Sequence, residues 1–379
     1  MTSKARRFRL CLSLGCALVA APLPAGTAYA QATGQFEIGV DQSNMIWESK
    51  PKQASIFAGI RAMGARWFRD SFAYPPNRIP DFVDVVRQAK LAHLKMLVVV
   101  LQDASDYDGA DPKAENAGPA FKKRCGWPGG SFKLSRIDLT KFKNRLRGLL
   151  AALKAAHLNV DAFEIGNEYD WVCFNGDVPF GRPATAKDIL IAKRGYARFL
   201  EAAAVTIRNP RFFPRAKIIT FGMSHADAGW DENPPHHLPN PAAFVASLRN
   251  LDGQNYLDNA RYRIDGYGSH VYPESNDIAR STIVTLAKDT AALGSRLPVW
   301  ITEFGLRREQ FPNRQGISRA QAMKVFFNTL AGAKRTAFGP VFYYNYDSPS
   351  WGLADARGKL LPAARALVRE CHTCMSKAR

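Results

Sequence analysis

Phe163-Glu164-Ile165-Gly166-Asn167-Glu168 and Val299-Trp300-Ile301-Thr302-Glu303-Phe304-Gly305 are two apolar, β-prone stretches that each lead to a glutamate. Such runs are typical of strands that are buried on both faces, as in a parallel sheet. A glutamate at the end of a strand lies at the edge of the sheet, where its carboxylate can take part in a site. The two stretches therefore predict a parallel sheet and mark Glu168 and Glu303 as candidate functional residues.

Strand-like and helix-like segments alternate along the chain around these two stretches. Strand-like runs lie near residues 36–41, 66–69, 94–101, 160–166, 216–222, 264–270, 298–302 and 339–345. Helix-like runs lie near 51–63, 80–92, 138–156, 186–208, 240–250, 277–293, 318–335 and 361–370. Eight strands that alternate with eight helices predict an α/β fold, a single (β/α)8 TIM barrel. An open doubly wound sheet also alternates, but no Gly-rich phosphate loop follows the first strand.

Three long segments rich in Pro and Gly follow strands three, four and five. They cover residues 103–137, 169–185 and 223–240. In a barrel these segments are the loops that lead from a strand to the next helix, and such loops build the face that carries active sites. The sequence therefore predicts an elaborate site at the carboxyl ends of the strands.

The N-terminus has the pattern of an export signal. A basic segment ends at Arg9, an apolar run covers residues 10–20, and Ala28-Tyr29-Ala30 is a typical cleavage site. A lipid anchor on Cys16 fits the preceding residues poorly, and the apolar run is too short to span a bilayer. We expect residues 1–30 to be a signal peptide, residues 31–379 to form one domain with a short Cys-containing tail, and the mature protein to be periplasmic or secreted.

Four of the six cysteines remain after cleavage: Cys125, Cys173, Cys371 and Cys374. In an oxidising compartment they are better interpreted as disulfides than as metal ligands. Four cysteines allow three pairings. We favour Cys125 with Cys173, which would join two loops, and Cys371 with Cys374, which would close the tail.

The mature chain is strongly basic. It keeps 48 of the 52 Lys and Arg residues and all 33 Asp and Glu residues, so its formal net charge is +15. This charge favours an anionic partner, such as an acidic polysaccharide or a lipopolysaccharide surface, although a basic surface also promotes solubility. The sequence contains no nucleic-acid-binding module, so we expect no nucleic acid partner.

Polar and aromatic residues gather at the predicted strand ends. They are Arg69 at strand two, Asn167 and Glu168 at strand four, His270 and Tyr272 at strand six, Glu303 at strand seven, and Trp351 after strand eight. The set resembles the retaining glycoside hydrolases of clan A, a (β/α)8 barrel superfamily that includes families five and thirty-nine. The resemblance covers the whole mature chain in layout but only a few dozen residues in motifs. It implies that Glu168 is the general acid/base and Glu303 the nucleophile of a retaining mechanism.

The resemblance also implies supporting roles. Arg69 and Tyr272 would keep Glu303 ionised, Asn167 would bind the sugar 2-hydroxyl, and His270 would line the subsite next to the cleaved bond. Trp351 would form a sugar-stacking platform. Further candidates lie in the long loops: Trp127, Trp171 and Trp230 either extend the cleft or anchor the loops, and His225 either lines the cleft or packs.

The remaining polar residues fit structural or solvated positions rather than metal ligands. Glu164 fits a buried structural carboxylate paired with an arginine, and His236-His237 in a Pro-rich loop fits a solvated pair. Metal ligation is disfavoured because the first strand ends in Asp41-Gln42 and lacks an H-x-H pair.

The sequence thus predicts an exported β-glycoside hydrolase without cofactor or metal, acting as a monomer. Endo action on an extracellular or cell-wall polysaccharide is favoured over trimming of oligosaccharides. A transglycosylase or a non-catalytic glycan-binding barrel acting on an anionic exopolysaccharide is the alternative.

Overall fold

The computed structural model describes most of the chain after residue 35. The described residues are 36–108, 118–126, 130–224, 237–259, 261–273, 277–294, 296–311, 317–333, 337–355, 357–367 and 369. All of them fall in one compact unit, Thr33–Arg379. The predicted signal peptide, Cys371 and Cys374, Trp127, His225, Trp230 and His236 lie outside the described residues.

Eight parallel strands form the centre of the molecule. They are β1 (Ile38–Asp41), β2 (Trp67–Phe72), β3 (Lys95–Val100), β4 (Ala162–Asn167), β5 (Lys217–Gly222), β6 (Tyr267–Val271), β7 (Val299–Phe304) and β8 (Phe338–Tyr344). Each strand falls at a predicted position, within a few residues. The predicted (β/α)8 barrel is therefore confirmed.

The sheet closes on itself. Paired neighbours follow the order β5-β4-β3-β2-β1-β8-β7-β6. The two remaining edges, β5 and β6, meet through parallel bridges between Ile219 and Gly266 and between Met223 and Ser269. Because every strand is parallel, all eight carboxyl ends open at one mouth of the barrel.

Helices surround the strands. They are α1 (Lys50–Ala62), α2 (Ile79–Leu91), α3 (Pro119–Cys125), α4 (Leu139–Ala155), α5 (Ala186–Ile207), α6 (Pro241–Ala246), α7 (Ile278–Leu293) and α8 (Arg319–Gly332), and residues 362–367 are also helical. Side-chain caps begin several of them; Thr185 and Asp188, for example, form a capping box at α5. Two predictions need correction, because α3 lies inside a predicted loop, and the predicted helix 240–250 ends at Ala246 and continues as a 3-10 turn.

The core has two parts. Most buried apolar side chains fill the layer between strands and helices, whereas a smaller cluster is formed by strand residues: Trp67, Leu97, Ala162, Ile219, Trp300 and Phe342. Gly39 shows how tightly this cluster is packed, since a Cβ there would lie 2.4 Å from the Phe342 ring. The Phe342 ring thus leaves room only for glycine at position 39 of β1.

The loops after β3 and β4 are covalently joined. A disulfide links Cys125, the last residue of α3, to Cys173, with the two Cα atoms 5.4 Å apart. This pairing confirms the predicted Cys125–Cys173 bond. It holds the loop that follows Glu168 against the loop that follows β3.

Among the described residues, no helix combines the length and the apolar character that are needed to cross a bilayer.

Candidate active site

The barrel brings the predicted site residues together at its mouth. Arg69 lies on β2, Asn167 and Glu168 end β4, His270 lies on β6, and Glu303 lies on β7. Tyr272 follows β6 directly. Residues separated by as many as 234 positions in the sequence are therefore in hydrogen-bond contact.

Arg69 is the centre of this arrangement. Its buried guanidinium donates from Nε to Glu164 at 2.7 Å and from Nη2 to the Asn167 Oδ1 at 2.7 Å. Nη1 donates to Asp41 at 2.9 Å and to Glu303 at 2.6 Å. Burial alone would lower the pKa of Arg69, but the surrounding carboxylates raise it well above its ordinary value, so the group stays charged. A single cation thus orients four side chains from three strands.

Glu164 is a structural carboxylate, as predicted. It is fully buried, and its second oxygen accepts a 2.9 Å hydrogen bond from the Thr302 hydroxyl. Both of its oxygens are therefore engaged inside the barrel. Asp41 is an additional member of the group that the sequence interpretation missed, although an aspartate at the end of β1 was a usable signal. Burial raises the pKa of Asp41 well above its ordinary range.

Glu303 lies at the boundary between this buried network and the open mouth. The residue is 7% exposed, and its second oxygen accepts a hydrogen bond from the Tyr272 hydroxyl at 2.5 Å. Burial tends to raise the pKa of Glu303, but the electrostatic interaction with His270, the charge of Arg69 and the hydrogen bonds from Tyr272 and Arg69 outweigh it and lower that pKa. Glu303 is therefore ionised at neutral pH.

Glu168 is presented by a sharp turn at the end of β4. Its φ is 45°, in the left-handed region, and it follows Gly166 at φ 97°. The turn is held by a 3.0 Å hydrogen bond from the Glu168 amide to the Gly222 carbonyl. Its carboxyl lies 2.7 Å from His270 Nδ1. Burial and the nearby charge of Glu303 raise the pKa of Glu168 well above its ordinary value, which favours the protonated acid.

His270 lies behind the two glutamates. Its side chain is fully buried, and Nδ1 is 3.5 Å from Glu303 as well as close to Glu168. Burial lowers the pKa of His270, which favours the neutral ring. A Cβ on Gly222 would lie 2.0 Å from its Nε2, so the glycine makes room for the imidazole. Like the buried Arg69, His270 contacts the carboxylates and does not reach the open cleft.

Trp351 closes one side of the mouth. Its ring is half-buried and meets the Tyr272 ring edge to face, with centroids 5.1 Å apart. The Arg307 guanidinium lies over the Trp351 ring, 4.9 Å from its centroid. The loop after β8 therefore places an aromatic surface directly beside the tyrosine that binds Glu303.

Trp171 lies in the loop after β4 and packs against the loop after β5. Its ring stacks on His237 at 5.4 Å with an interplanar angle of 5°. His237 Nδ1 also lies 3.0 Å from the Ser224 hydroxyl, so the prediction of a solvated pair is wrong for His237. The stacking ties the two loops together and covers one face of the Trp171 indole.

A metal ion is one conceivable occupant of the mouth. Among the described residues, one group could hold a cation by distance: Glu168, His270 and Glu303, each of which offers one ligand atom within 4.8 Å of the others. However, Glu303 already accepts hydrogen bonds on both oxygens, from Arg69 and Tyr272. The Arg69 cation already balances the charge of Glu303. These three side chains are therefore better suited to proton transfer and nucleophilic attack than to metal binding.

The chain matches known proteins in its fold but not in its sequence. No family model matches the sequence, and no curated protein sequence matches it. Solved structures do match.

A GH5_18 protein from Bifidobacterium longum, in complex with Manb1-4GlcNAc, is 13% identical with a TM-score of 0.59, covering 90% of this chain and 79% of its own. The endo-1,4-beta-mannanase from Rhizomucor miehei is 11% identical with a TM-score of 0.57, covering 90% and 95%. The hyperthermostable endo-1,4-beta-D-mannanase from Thermotoga petrophila is 14% identical with a TM-score of 0.54, covering 89% and 99%. The chain shares the (β/α)8 barrel fold of these glycoside hydrolases.

Proposed function

We propose that the protein is an exported, retaining β-glycoside hydrolase. The observation that carries the proposal is the pair of glutamates at the mouth of the barrel, with a carboxylate oxygen of Glu168 within 4.8 Å of one of Glu303. Retaining enzymes place their two carboxyl groups about 5–5.5 Å apart, whereas inverting enzymes need roughly 6.5–9.5 Å to admit a water molecule. The pKa values of the two groups are shifted in opposite directions, as an acid and a nucleophile require.

The chemistry follows from these two protonation states. The ionised Glu303 attacks the anomeric carbon, the glycosidic C–O bond breaks, and the leaving oxygen takes the proton of Glu168. Glu168, now a carboxylate, then removes a proton from water, and the resulting hydroxide attacks the anomeric carbon and releases Glu303. Two inversions at the same carbon give net retention.

The neighbouring side chains support this sequence of steps. Arg69 and Tyr272 hold Glu303 in one orientation, and His270 does the same for Glu168. Because Arg69 binds the Asn167 Oδ1, the amide nitrogen of Asn167 is oriented to donate to a sugar hydroxyl, which we assign to the 2-hydroxyl. Trp351 provides the apolar surface for the sugar ring.

We further propose endo action on an extracellular or cell-wall polysaccharide. Two of the solved structures that share the fold are described as endo-1,4-beta-mannanases, and long loops surround the mouth of this barrel. The export pattern of residues 1–30 would deliver the enzyme to the periplasm or the medium.

Product analysis tests the proposal. The secreted form is incubated with β-mannan, xylan, β-glucan and polymannuronate, and the products are followed by reducing-end assay, chromatography and proton NMR. We expect internal cleavage of at least one polymer and initial products of β configuration. Products of α configuration would refute retention, products longer than the substrate would identify a transglycosylase, and binding without cleavage would identify a glycan-binding barrel.

The basic charge leads to a second expectation, namely preference for an acidic glycan. The mature chain carries a formal net charge of +15, from 48 basic and 33 acidic residues, and Arg307 lies beside the Trp351 platform. The Debye length falls from roughly 30 Å at 0.01 M salt to about 3 Å at 1 M. Retardation by polymannuronate in affinity electrophoresis should therefore weaken strongly with added salt, whereas retardation by neutral β-mannan should not. Equal salt dependence for both polymers would show that the charge plays no part in substrate choice.

A further inference from the structure

Trp47 is an exposed aromatic residue on the same face as the glutamates. It is 64% exposed, and it is the single aromatic among the exposed large apolar side chains of the described residues. It ends a short 3-10 turn, Met45–Trp47, in the loop that follows β1. Single exposed apolar side chains are common on protein surfaces, so the position of Trp47 at the mouth of the barrel and the ordering of its ring decide whether it can bind a ligand.

The Trp47 ring is held in place rather than left loose. The Arg78 guanidinium lies over it, 4.1 Å from the ring centroid, and the Tyr74 ring meets it edge to face at 6.3 Å. Tyr74 is itself buried, and its hydroxyl donates to the Asn44 Oδ1 at 3.3 Å. One face of the indole is therefore covered by Arg78, and the high exposure of the residue leaves the opposite face to solvent.

The loop that carries Trp47 is bonded to the candidate active site. The Asn44 amide donates to Asp70, the neighbour of Arg69, at 2.9 Å. On the other side, the Tyr346 amide donates to Gln42 at 3.1 Å, so the loops after β1 and β8 are joined. These bonds, together with the Lys52–Asp347 ion pair at 2.5 Å between α1 and the loop after β8, connect the loop that carries Trp47 to the loop that carries Trp351.

The distance of Trp47 from the centre of the site is limited by the chain itself. Asp41 touches Arg69 in the centre of the site, and Trp47 lies six positions further along the chain. Six residues span at most about 22 Å when fully extended. Trp47 is therefore close enough to be reached by a glycan chain that is bound at Glu303, whereas its ring contacts, Tyr74 and Arg78, lie outside the Arg69 network.

We propose that Trp47 is a distal platform that binds a further sugar unit of the same β-glycan whose bond lies between Glu168 and Glu303. The apolar C–H face of a pyranose ring would stack on the open face of the indole, as apolar surfaces do on aromatic rings. This inference rests on the proposed function and deepens it, because a second platform outside the reaction centre selects for long chains.

Variants at Trp47 test the platform. For Trp47→Ala, the ratio of kcat/KM on the polymer to kcat/KM on an aryl monoglycoside of the same sugar should fall about tenfold. Trp47→Phe, which keeps a smaller ring, should lose less. Leu91→Ala is the matched control, since Leu91 is 71% exposed but lies at the end of α2 that leads into β3, on the opposite side of the barrel. It should leave the ratio unchanged.

Binding without turnover separates the platform from the chemistry. The Glu303→Gln variant and the Trp47→Ala/Glu303→Gln double variant are compared by affinity electrophoresis. The gels contain β-mannan, xylan, β-glucan or polymannuronate. Thermal melts first verify that both variants are equally folded. Weaker retardation of the Trp47→Ala form supports the platform even if no cleavage is detected. Equal retardation, or an unchanged kcat/KM ratio in an active enzyme, overturns it while leaving the proposed function intact. Absence of both binding and cleavage in the wild type overturns both.

Discussion

Replacing Glu303 by glutamine is expected to lower kcat on an aryl β-glycoside by a factor on the order of 10⁴ or more. The amide has nearly the same shape as the carboxylate, but it is not a nucleophile and cannot form the glycosyl-enzyme. Its oxygen can still accept a hydrogen bond from Arg69, which also keeps its contacts with Glu164 and Asp41. The variant should therefore fold normally, and steady-state kinetics together with thermal melts check both expectations.

The control for this variant comes from the loop that follows β7. Glu309 is exposed and follows Glu303 by six residues, and its hydrogen-bond partner is Ser350, so Glu309→Gln changes the same functional group without removing a partner of Arg69 or Tyr272. It should keep full activity. If Glu303→Gln were as active as Glu309→Gln, Glu303 would not be the nucleophile, and one of the remaining carboxylates at the mouth would have to take its place.

The strands and the two glutamates could be predicted from the sequence because their signals are local. Apolar runs of strand length recur eight times, and the end of each strand can be located from the local sequence without knowing which distant residues it contacts. The sequence pattern did not predict helix α3 because the helix is short. Pro119 at its start and Gly126 after its end are nevertheless ordinary helix boundary signals. A seven-residue helix inside a long loop has too little periodicity to stand out.

The distinction between the enclosed polar residues and the glutamates at the mouth could be predicted for Glu164 but not for His270, whose enclosure depends on tertiary contacts. Glu164 and Glu303 both lie in apolar strands and both bind Arg69, and the packed barrel confirms that Glu164 is fully buried. His270 was expected to line the sugar subsite, yet it is enclosed behind the carboxylates. Trp47 carried no signal of its own, since exposure of a single tryptophan in a loop has no sequence pattern.

Replacing Glu168 by alanine is expected to separate the two half-reactions. Cleavage of substrates with poor leaving groups should slow by about 10²–10⁴-fold, because no group protonates the departing oxygen. An aryl glycoside with a good leaving group needs no such help, so the first step stays fast. The glycosyl-enzyme should then accumulate, since water lacks its general base, and a burst of released phenol in stopped-flow measurements checks this.

Azide distinguishes the roles of the two glutamates by stereochemistry. In Glu168→Ala, azide attacks the glycosyl-enzyme from the face opposite Glu303, so activity should be restored and the product should be a β-glycosyl azide. In Glu303→Ala, azide would enter in place of the missing nucleophile, and the product should be an α-glycosyl azide. Proton NMR of the products reads the configuration directly, and an α product from the Glu168 variant would reverse the two assignments.

The pH dependence of kcat/KM gives an independent check on the same residue. The proposed mechanism needs Glu303 ionised and Glu168 protonated, so activity should fall at low pH as Glu303 gains a proton and at high pH as Glu168 loses one. Burial and the charge of Glu303 raise the pKa of Glu168, which places the alkaline limb well above the ordinary range of a carboxyl group. The Glu303 pKa is lowered despite burial, because the interactions with His270 and Arg69 stabilise its charge, which places the acid limb low. Glu168→Ala, assayed by the phenol burst, should keep the acid limb and lose the alkaline one; an alkaline limb that persists in this variant would assign the titration to another group.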